Sequence, residues 1–428
     1  MGALDLARLQ FAVTTSIHWL FVLVTLGLVT ALLYFQTRAT LARKEEKREL
    51  YFRMTRFWGL MYVINYALGI ASGIVMEFQF GTSWSGLTHL VGGVFGAPLA
   101  METIVAFVAE STFLALWIFG WHKLPRAVHL GLLYLVAITA YLSAFWVLVA
   151  NGFMQNPVGY EMSTAADGTA TAVLTDVGAV FANPSTWWAF LHIVGAALSA
   201  GGVVILGTSA WHILRRTEDV FFLRSFRVGF TFLFLGIGWA FGTGWAQYGF
   251  VGEIQPMKTA DATEAAAVNA ELAARYGAGD YRLPDGLRES FDFMSMVGEA
   301  GSTILLLLAP IVIWKLAAKL RWIMPLFIAF VPFPFLAAVA GWVFREVGRQ
   351  PWIVYGVQTT ADAFGGAGVG GMWTSFIGFT AVLGALLLTA WWLMLRHGLR
   401  GPRADVWRPD PGTDVDTDTH LLIPQGTR

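Results

Sequence analysis

Long apolar stretches, each bounded by clusters of polar and charged residues, alternate along nearly the whole chain. A helix must contain about 20 residues to cross about 30 Å of hydrocarbon, and nine stretches reach that length. We therefore predict an all-α polytopic membrane protein with nine transmembrane helices. The predicted spans cover approximately residues 11–35, 56–77, 93–121, 128–150, 186–214, 222–246, 291–314, 322–343 and 373–396.

Lysine and arginine residues concentrate at alternate ends of these spans, and this pattern predicts the orientation. Sixteen lie in or beside the loops that follow the first, third, fifth and seventh spans, whereas six belong to the other four loops. Positive residues are retained on the cytoplasmic side of a membrane. We therefore expect the amino terminus outside and the carboxyl terminus in the cytoplasm.

Two polar segments interrupt this pattern. Residues 247–290 form a long outer loop, whose Ala/Glu-rich part predicts a short amphipathic surface helix. Residues 399–428 are rich in Pro, Asp and Thr, which predicts a disordered cytoplasmic tail. Residues 1–398 then form one nine-span membrane domain. The sequence has no convincing internal repeat, and this argues against an inverted-repeat transporter.

Composition narrows the chemistry that the chain can perform. Hydrophobic residues make up 56% of the 428 positions and charged residues 13%, with a formal net charge of zero, so nucleic acid is not an expected partner. Cysteine is absent from the sequence. This excludes disulfides, cysteine-bound iron–sulfur clusters and c-type heme, so that any redox metal must be bound by His, Met, Glu or Asp.

Ionisable side chains inside an apolar span are costly and therefore indicate function. Of eight histidines, only His18 and His192 lie well inside predicted spans. A helix rises 1.5 Å per residue, which puts His18 about 10 Å, and His192 and Met296 about 8 Å, below the outer ends of their spans. Glu102 lies about 12 Å deep and Glu346 ends an outward span. Imidazole and thioether together suit a low-spin heme iron, although lone membrane histidines often only hydrogen-bond and methionines usually pack.

A second carboxylate lies deeper in the same predicted span as Glu102. Glu110 lies eight residues beyond Glu102, about 12 Å closer to the cytoplasm. Two carboxylates along one span are typical of a proton relay, but each can equally be a protonated group hydrogen-bonded to a residue such as Ser143. Arg349 at the outer interface suits either snorkelling or a heme propionate.

Several separate motifs resemble subunit I of the cytochrome bd oxidases, over nearly all nine spans. They include RLQFAVTTSIHWLF around His18, INYALGIASGIVMEFQFGTSWS in span two, and GAPLAMETIVAFVAESTF with both span-three glutamates. LSAFWVLVANGFMQNP, WWAFLHIVGAALSAG around His192, QPMK in the outer loop and GWVFREVGRQPW follow. So many independent strings make a chance match negligible.

The resemblance implies three hemes: a low-spin heme b, a high-spin heme b, and a heme d or further heme b that reduces oxygen. His192 and Met296 would bind the low-spin heme. His18 and Glu346 would be ligands of the two high-spin hemes, with Glu102 beside them. Whether His18 or Glu102 faces heme d differs among family members and stays open here.

The resemblance also implies how the oxidase works. Quinol would be oxidised at the outer face, where Lys258 and Glu264 of the loop would bind it, and dioxygen would be reduced to water. Glu110 and Ser143 would belong to the proton route from the cytoplasm, so that turnover creates a membrane potential without pumping. Subunit II, and in some members a small single-span accessory subunit, would be partners.

Three positions depart from the family pattern and bear on the electron donor. Thr263 replaces a glutamate, with Glu264 next to it, Met294 replaces an arginine, and Glu299 replaces an uncharged residue. The last two changes make the field around the low-spin heme more negative, which would suit menaquinol. A bd-like oxidase with a donor other than quinol is the main alternative. A secondary transporter that uses Glu102 and Glu110 as proton sites is another, and it predicts no bound chromophore.

Overall fold

The computed structural model describes residues 1–164, 168–217 and 219–402. Within these residues, nine helical stretches are long and apolar enough to cross a membrane, which confirms the predicted number. Most of the predicted tail, residues 403–428, lies outside the described residues. The all-α class is also confirmed, and the orientation of the termini stays a prediction.

The first, second and fourth spans extend beyond both ends of the predicted apolar stretches, whereas the third begins earlier than predicted and ends at Phe119. The third span is interrupted by a π-helical segment at Ile104–Glu110. The helices are α1 (Ala3–Thr40), α2 (Glu45–Thr82), α3 (Ser85–Thr103), α4 (Ser111–Phe119) and α5 (Arg126–Gln155).

The rest of the described chain forms five further spans, the fourth of which consists of two consecutive helices, and short helices occupy the loops. The predicted loop helix is present as α9. The helices are α6 (Val177–Phe181), α7 (Pro184–Arg215), α8 (Asp219–Ile254), α9 (Ala265–Tyr276), α10 (Leu287–Ile313), α11 (Met324–Ala329), α12 (Pro332–Val347), α13 (Thr360–Ala363) and α14 (Val369–Arg400).

Two small antiparallel hairpins, which the hydropathy pattern does not predict, lie in the loops after α5 and α12. Strand β1 (Tyr160–Thr164) pairs with β2 (Ala170–Leu174), and β3 (Trp352–Val354) pairs with β4 (Gln358–Thr359). The second hairpin packs on the outer loop, because buried Trp352 lies in one apolar cluster with residues of that loop.

Glycines bring α7 and α8 into direct backbone contact. A Cβ added to Gly202 would lie 2.4 Å from the Leu233 nitrogen, and one added to Gly236 would lie 2.5 Å from the Ser199 nitrogen. Small residues at helix interfaces are what allow such close approach in membranes, where packing drives association. The amino-terminal half of α7, which carries His192, is therefore held against α8.

Candidate functional site

Helices α7, α8, α10 and α12 enclose a cavity with about 1400 Å³ of empty space, counting its open mouth. We call it the His192 cavity, because His192 forms part of its wall. Its lining is mainly apolar and aromatic, with Lys258 and Arg345 as the cationic members. An apolar cavity lined by a few convergent polar groups is typical of a site for an organic cofactor.

The imidazole of His192 is oriented by α8. Its Nδ1 lies 3.4 Å from the Thr243 hydroxyl, and the ring also hydrogen-bonds to the backbone of Ala240. A Cβ added to Gly244 would lie only 3.3 Å from Cε1 of the ring. Because the Nδ1 side faces α8, Nε2 is the nitrogen available to a metal, in the arrangement common to metal-binding histidines.

Met296, the thioether that the resemblance predicts as a ligand, stays a prediction. Met296 is 54% exposed on the outward face of α10, whereas Met294 lines the His192 cavity. Two positions that differ by two residues lie about 200° apart around a helix, so they cannot face the same cavity.

His18 is tied to α2 through a serine. Its Nδ1 lies 2.8 Å from the Ser72 hydroxyl, and that hydroxyl donates its own proton to the Gly69 carbonyl. Ser72 therefore has to accept from His18, which fixes the proton on Nδ1 and leaves the Nε2 lone pair free to bind iron.

Glu346, at the outer end of α12, receives hydrogen bonds from three side chains. Asn151 donates to Oε1 at 2.8 Å, Gln155 donates to the same oxygen at 3.1 Å, and Arg349 donates to Oε2 at 2.8 Å. The Arg345 guanidinium lies 4.0 Å away. We call these five residues the Glu346 cluster.

The Glu346 cluster contains more positive than negative charge. Arg349 is only 5% exposed, and in the described part of the chain its Nε and Nη1 are buried without a hydrogen-bond partner. Unsatisfied buried donors are costly and indicate a missing acceptor. A carboxylate such as a heme propionate fits these donors.

A stacked pair of indoles lies beside the cavity. The rings of Trp19 and Trp342 are 5.5 Å apart at an angle of 23°, and both line the His192 cavity. Trp19 follows His18 directly and Trp342 lies one helical turn before Glu346. The pair therefore connects the surroundings of His192 with those of His18 and Glu346.

The two predicted quinol-binding residues have different surroundings. Lys258 is 3% exposed, lines the cavity and donates to the Arg345 carbonyl at 2.7 Å. Burial, and then the charge of Arg345, hold the pKa of the Lys258 amine well below its usual range. Glu264, in contrast, is exposed, and accepts from the Asp261 backbone in a surface turn before α9. The structure brings Lys258 to the cavity and leaves Glu264 on the loop surface.

Glu102 forms a carboxyl pair that sequence reasoning missed. Its side chain hydrogen-bonds to that of Glu77 on α2, and it accepts from the Ser143 hydroxyl at 3.0 Å. Thr103 donates to Glu77 at 2.7 Å. Two carboxyl groups can share a hydrogen bond only when one of them is protonated. Glu77 could have been found from the sequence, because it is an acidic residue within an apolar span.

Glu110 lies at the end of the π-helical segment and is 4% exposed. The Tyr62 hydroxyl donates to its Oε1 at 3.1 Å, and Tyr66 packs against Tyr62 while its own hydroxyl lies 2.9 Å from Ser111. π-Helical turns inside α-helices frequently occur at functional sites. Here the segment separates the two glutamates of the third span.

Two histidines that the sequence analysis excluded as metal ligands are buried nonetheless. His129 contacts Gln36 through Nδ1 and the Trp117 carbonyl through Nε2, and His212 contacts Thr217 and the Gly398 carbonyl. Because both nitrogens of each ring are occupied, neither histidine is a candidate metal ligand.

Comparisons with known proteins agree with these features. The family model for cytochrome bd terminal oxidase subunit I matches residues 6–279 and 282–402. The chain is 36% identical to cytochrome bd ubiquinol oxidase subunit 1 of Bacillus subtilis, covering 95% of each chain. It is 31% identical to cytochrome bd-II ubiquinol oxidase subunit 1 of Escherichia coli, covering 94% of this chain and 97% of that one. The bd oxidase structure from Geobacillus thermodenitrificans has the same fold, with a TM-score of 0.81 at 23% identity, covering 94% of this chain and 99% of that one.

Proposed function

Because the chain belongs to the cytochrome bd terminal oxidase subunit I family, we propose that it binds three hemes in its outer half and uses them to pass electrons from quinol to dioxygen. It is a multi-pass protein of the bacterial inner membrane, and its activity is quinol:oxygen oxidoreduction. The finer assignments below are part of the proposal.

The His192 cavity would hold a low-spin heme b. Nε2 of His192 would be one ligand, and the apolar lining from α8 and α12 would exclude water from the group. Lys258 and Arg345, both in the lining, would offset negative charge at the outer edge. When bound, the hemes supply electron transfer and the reduction of oxygen, which the protein tunes through ligation and dielectric.

The Glu346 cluster and His18 would hold the two high-spin hemes, one of them a heme d or a further heme b. The unpartnered N–H groups of Arg349 support this proposal, because they require an acceptor that the surrounding protein does not provide. Glu346 would provide a carboxylate ligand and His18 an imidazole. Glu102 would lie close to these two groups, and which of His18 and Glu102 faces heme d is left open.

Protons for water formation would come from the cytoplasm through Glu110. Its partner Tyr62 orients the carboxyl group, and Glu102 lies nearer the outer face with Ser143 as its hydroxyl partner. Quinol protons would leave outside, so that turnover charges the membrane without a pump. Subunit II would complete the enzyme, with a small single-span accessory subunit as a further partner.

Quinol would bind at the mouth of the His192 cavity near Lys258. Glu264, on the exposed surface of the same loop, would be the second residue that contacts quinol. Menaquinol is the donor that the two departures near the low-spin site, Met294 in place of the family's arginine and the added Glu299, would favour relative to other members of the family.

A single observation carries this proposal: a half-buried histidine with one nitrogen directed by α8 lines an apolar cavity beside Lys258 and Arg345. A reduced-minus-oxidised spectrum of the purified complex, followed by quinol-driven oxygen uptake, tests it. Heme signals with rapid uptake are expected. Heme signals without quinol-driven uptake would favour another electron donor, and a colourless protein would favour the transporter alternative.

A further inference from the structure

Gln155, the last residue of α5, lies between the outer loop and the carboxyl end of α12, and it is only 2% exposed. Its Oε1 accepts from Gln255 at 3.0 Å and from Lys258 at 3.2 Å. Its Nε2 donates to Oε1 of Glu346 at 3.1 Å and to the Arg345 carbonyl at 3.3 Å. One side-chain amide therefore joins the loop lysine to the carboxylate at the centre of the Glu346 cluster.

The partners of this amide fix the direction in which it faces. Gln255 donates from Nε2 to the Gln155 carbonyl at 2.7 Å, so it presents N–H groups to Oε1 as well. Glu346 accepts from Arg349 and Asn151, so it presents an acceptor to Nε2. Turning the amide over would place nitrogen against N–H groups and oxygen against a carboxylate, which leaves both ends unpaired. The acceptor side of Gln155 therefore faces the loop, and the donor side faces α12.

Backbone contacts hold the carboxyl end of α5 in this place. The Gln155 carbonyl accepts from Gln255, and the Met154 carbonyl accepts from the Tyr355 nitrogen at 3.0 Å. The last carbonyls of a helix have no partner within the helix itself. Here the outer loop and the second hairpin supply those partners, so the position of Gln155 does not depend on its side chain alone.

Lys258 reaches Gln155 across a glycine. A Cβ added to Gly348, the residue after α12, would lie 2.9 Å from Cε of Lys258. The Lys258 amine also donates to the Arg345 carbonyl at 2.7 Å. The amine therefore has one backbone acceptor and one side-chain acceptor, and the side-chain acceptor is Gln155. Without it, a single backbone carbonyl would direct the lysine.

We infer that Gln155 is a positioning residue that fixes Lys258 and Glu346 relative to each other through the two ends of its amide. This inference rests on the proposed function, in which Lys258 contacts quinol and Glu346 binds a high-spin heme. The acceptor end then governs how quinol is bound, and the donor end governs the surroundings of that heme. The two ends can be tested separately, because glutamate retains the acceptor and loses the donor, whereas leucine loses both.

The test measures the apparent KM for quinol in oxygen uptake, together with the reduced-minus-oxidised spectrum of the same purified complex. Gln155→Leu should raise the KM on the order of fivefold, the worth of one hydrogen bond, and should alter the high-spin heme signals. Gln155→Glu should alter those signals while the KM stays near wild type. Asn156→Ala, which changes the neighbouring residue and its hydrogen bond to Asn183, should leave both readouts unchanged.

A double variant separates positioning from a general loss of structure. Because Gln155 is inferred to act on quinol through Lys258, Gln155→Leu should not raise the KM further in the Lys258→Met background. An additive effect would overturn the inference, as would a wild-type KM in Gln155→Leu.

Gln155→Glu keeps the test decisive if Gln155→Leu does not assemble. A raised KM with wild-type high-spin signals in Gln155→Glu would contradict the assignment of the two ends of the amide. A wild-type complex without quinol-driven oxygen uptake would refute the proposed function itself, whereas the other contrary outcomes refute only the role of Gln155.

Discussion

The Ser143 hydroxyl donates a 3.0 Å hydrogen bond to Oε1 of Glu102, and so connects α5 with the third span at the level of the proposed high-spin hemes. Glu102 has a second partner in Glu77. Loss of one neutral hydrogen bond costs about 1 kcal/mol, so Ser143→Ala should leave the fold intact. Since Glu77 still holds Glu102, we expect heme content to stay near wild type in Ser143→Ala.

Glu102→Gln should have a larger effect than Ser143→Ala. An amide keeps the volume of the carboxyl group but changes the charge and the proton count beside the high-spin hemes. We expect altered high-spin signals in the reduced-minus-oxidised spectrum, with the low-spin signal unchanged. Wild-type high-spin spectra in this variant would remove Glu102 from the heme surroundings.

Glu110→Gln should separate proton delivery from heme binding. The residue lies deeper than the proposed heme layer, and an amide cannot pass a proton on. Loss of a positioned proton-transfer group typically slows a reaction on the order of 100-fold. Oxygen uptake should therefore fall strongly while heme content persists, and Tyr62→Phe, which removes only the donor to Glu110, should slow it less. Full activity in Glu110→Gln would exclude this residue from the route.

Lys258 and Glu264 provide a matched pair for the quinol site. Lys258 is buried in the cavity lining, whereas Glu264 is exposed in a surface turn. Lys258→Met should raise the apparent KM for quinol, because it removes a polar group from the lining of the cavity at which quinol is proposed to bind. Glu264→Ala should raise that KM by a smaller factor in steady-state oxygen uptake. A higher KM in Glu264→Ala with no effect of Lys258→Met would reverse the two roles.

Much of this fold could be predicted from the sequence, because hydropathy is a local property of each segment. The nine spans and the loop helix α9 follow from hydropathy. His18 and His192 could also be selected as candidate functional residues, since ionisable groups in apolar helices are rare. The bounds were less accurate, because the helices continue into polar residues that hydropathy counts as loop.

Other features depend on tertiary contacts that a single segment does not encode. The rotation of α10, which directs Met294 inward and Met296 outward, is set by packing against Gly341 and Phe241. The Glu77–Glu102 pair joins two spans, and the π-helical segment changes the phase of the third span between its glutamates. Met296 and Glu264 are both exposed in the structure, and their predicted roles stay predictions.

The most direct test of the heme assignment compares spectra of His192→Ala and His18→Ala, each purified with its partner subunit. These histidines lie on different helices with different partners, Thr243 for the first and Ser72 for the second. His192→Ala should lose the low-spin heme b signal and retain the high-spin hemes. His18→Ala should retain low-spin heme b but lose one high-spin heme and oxygen reduction. If all heme signals persisted at wild-type amplitude in both variants, the central claim that these histidines bind the hemes would be contradicted.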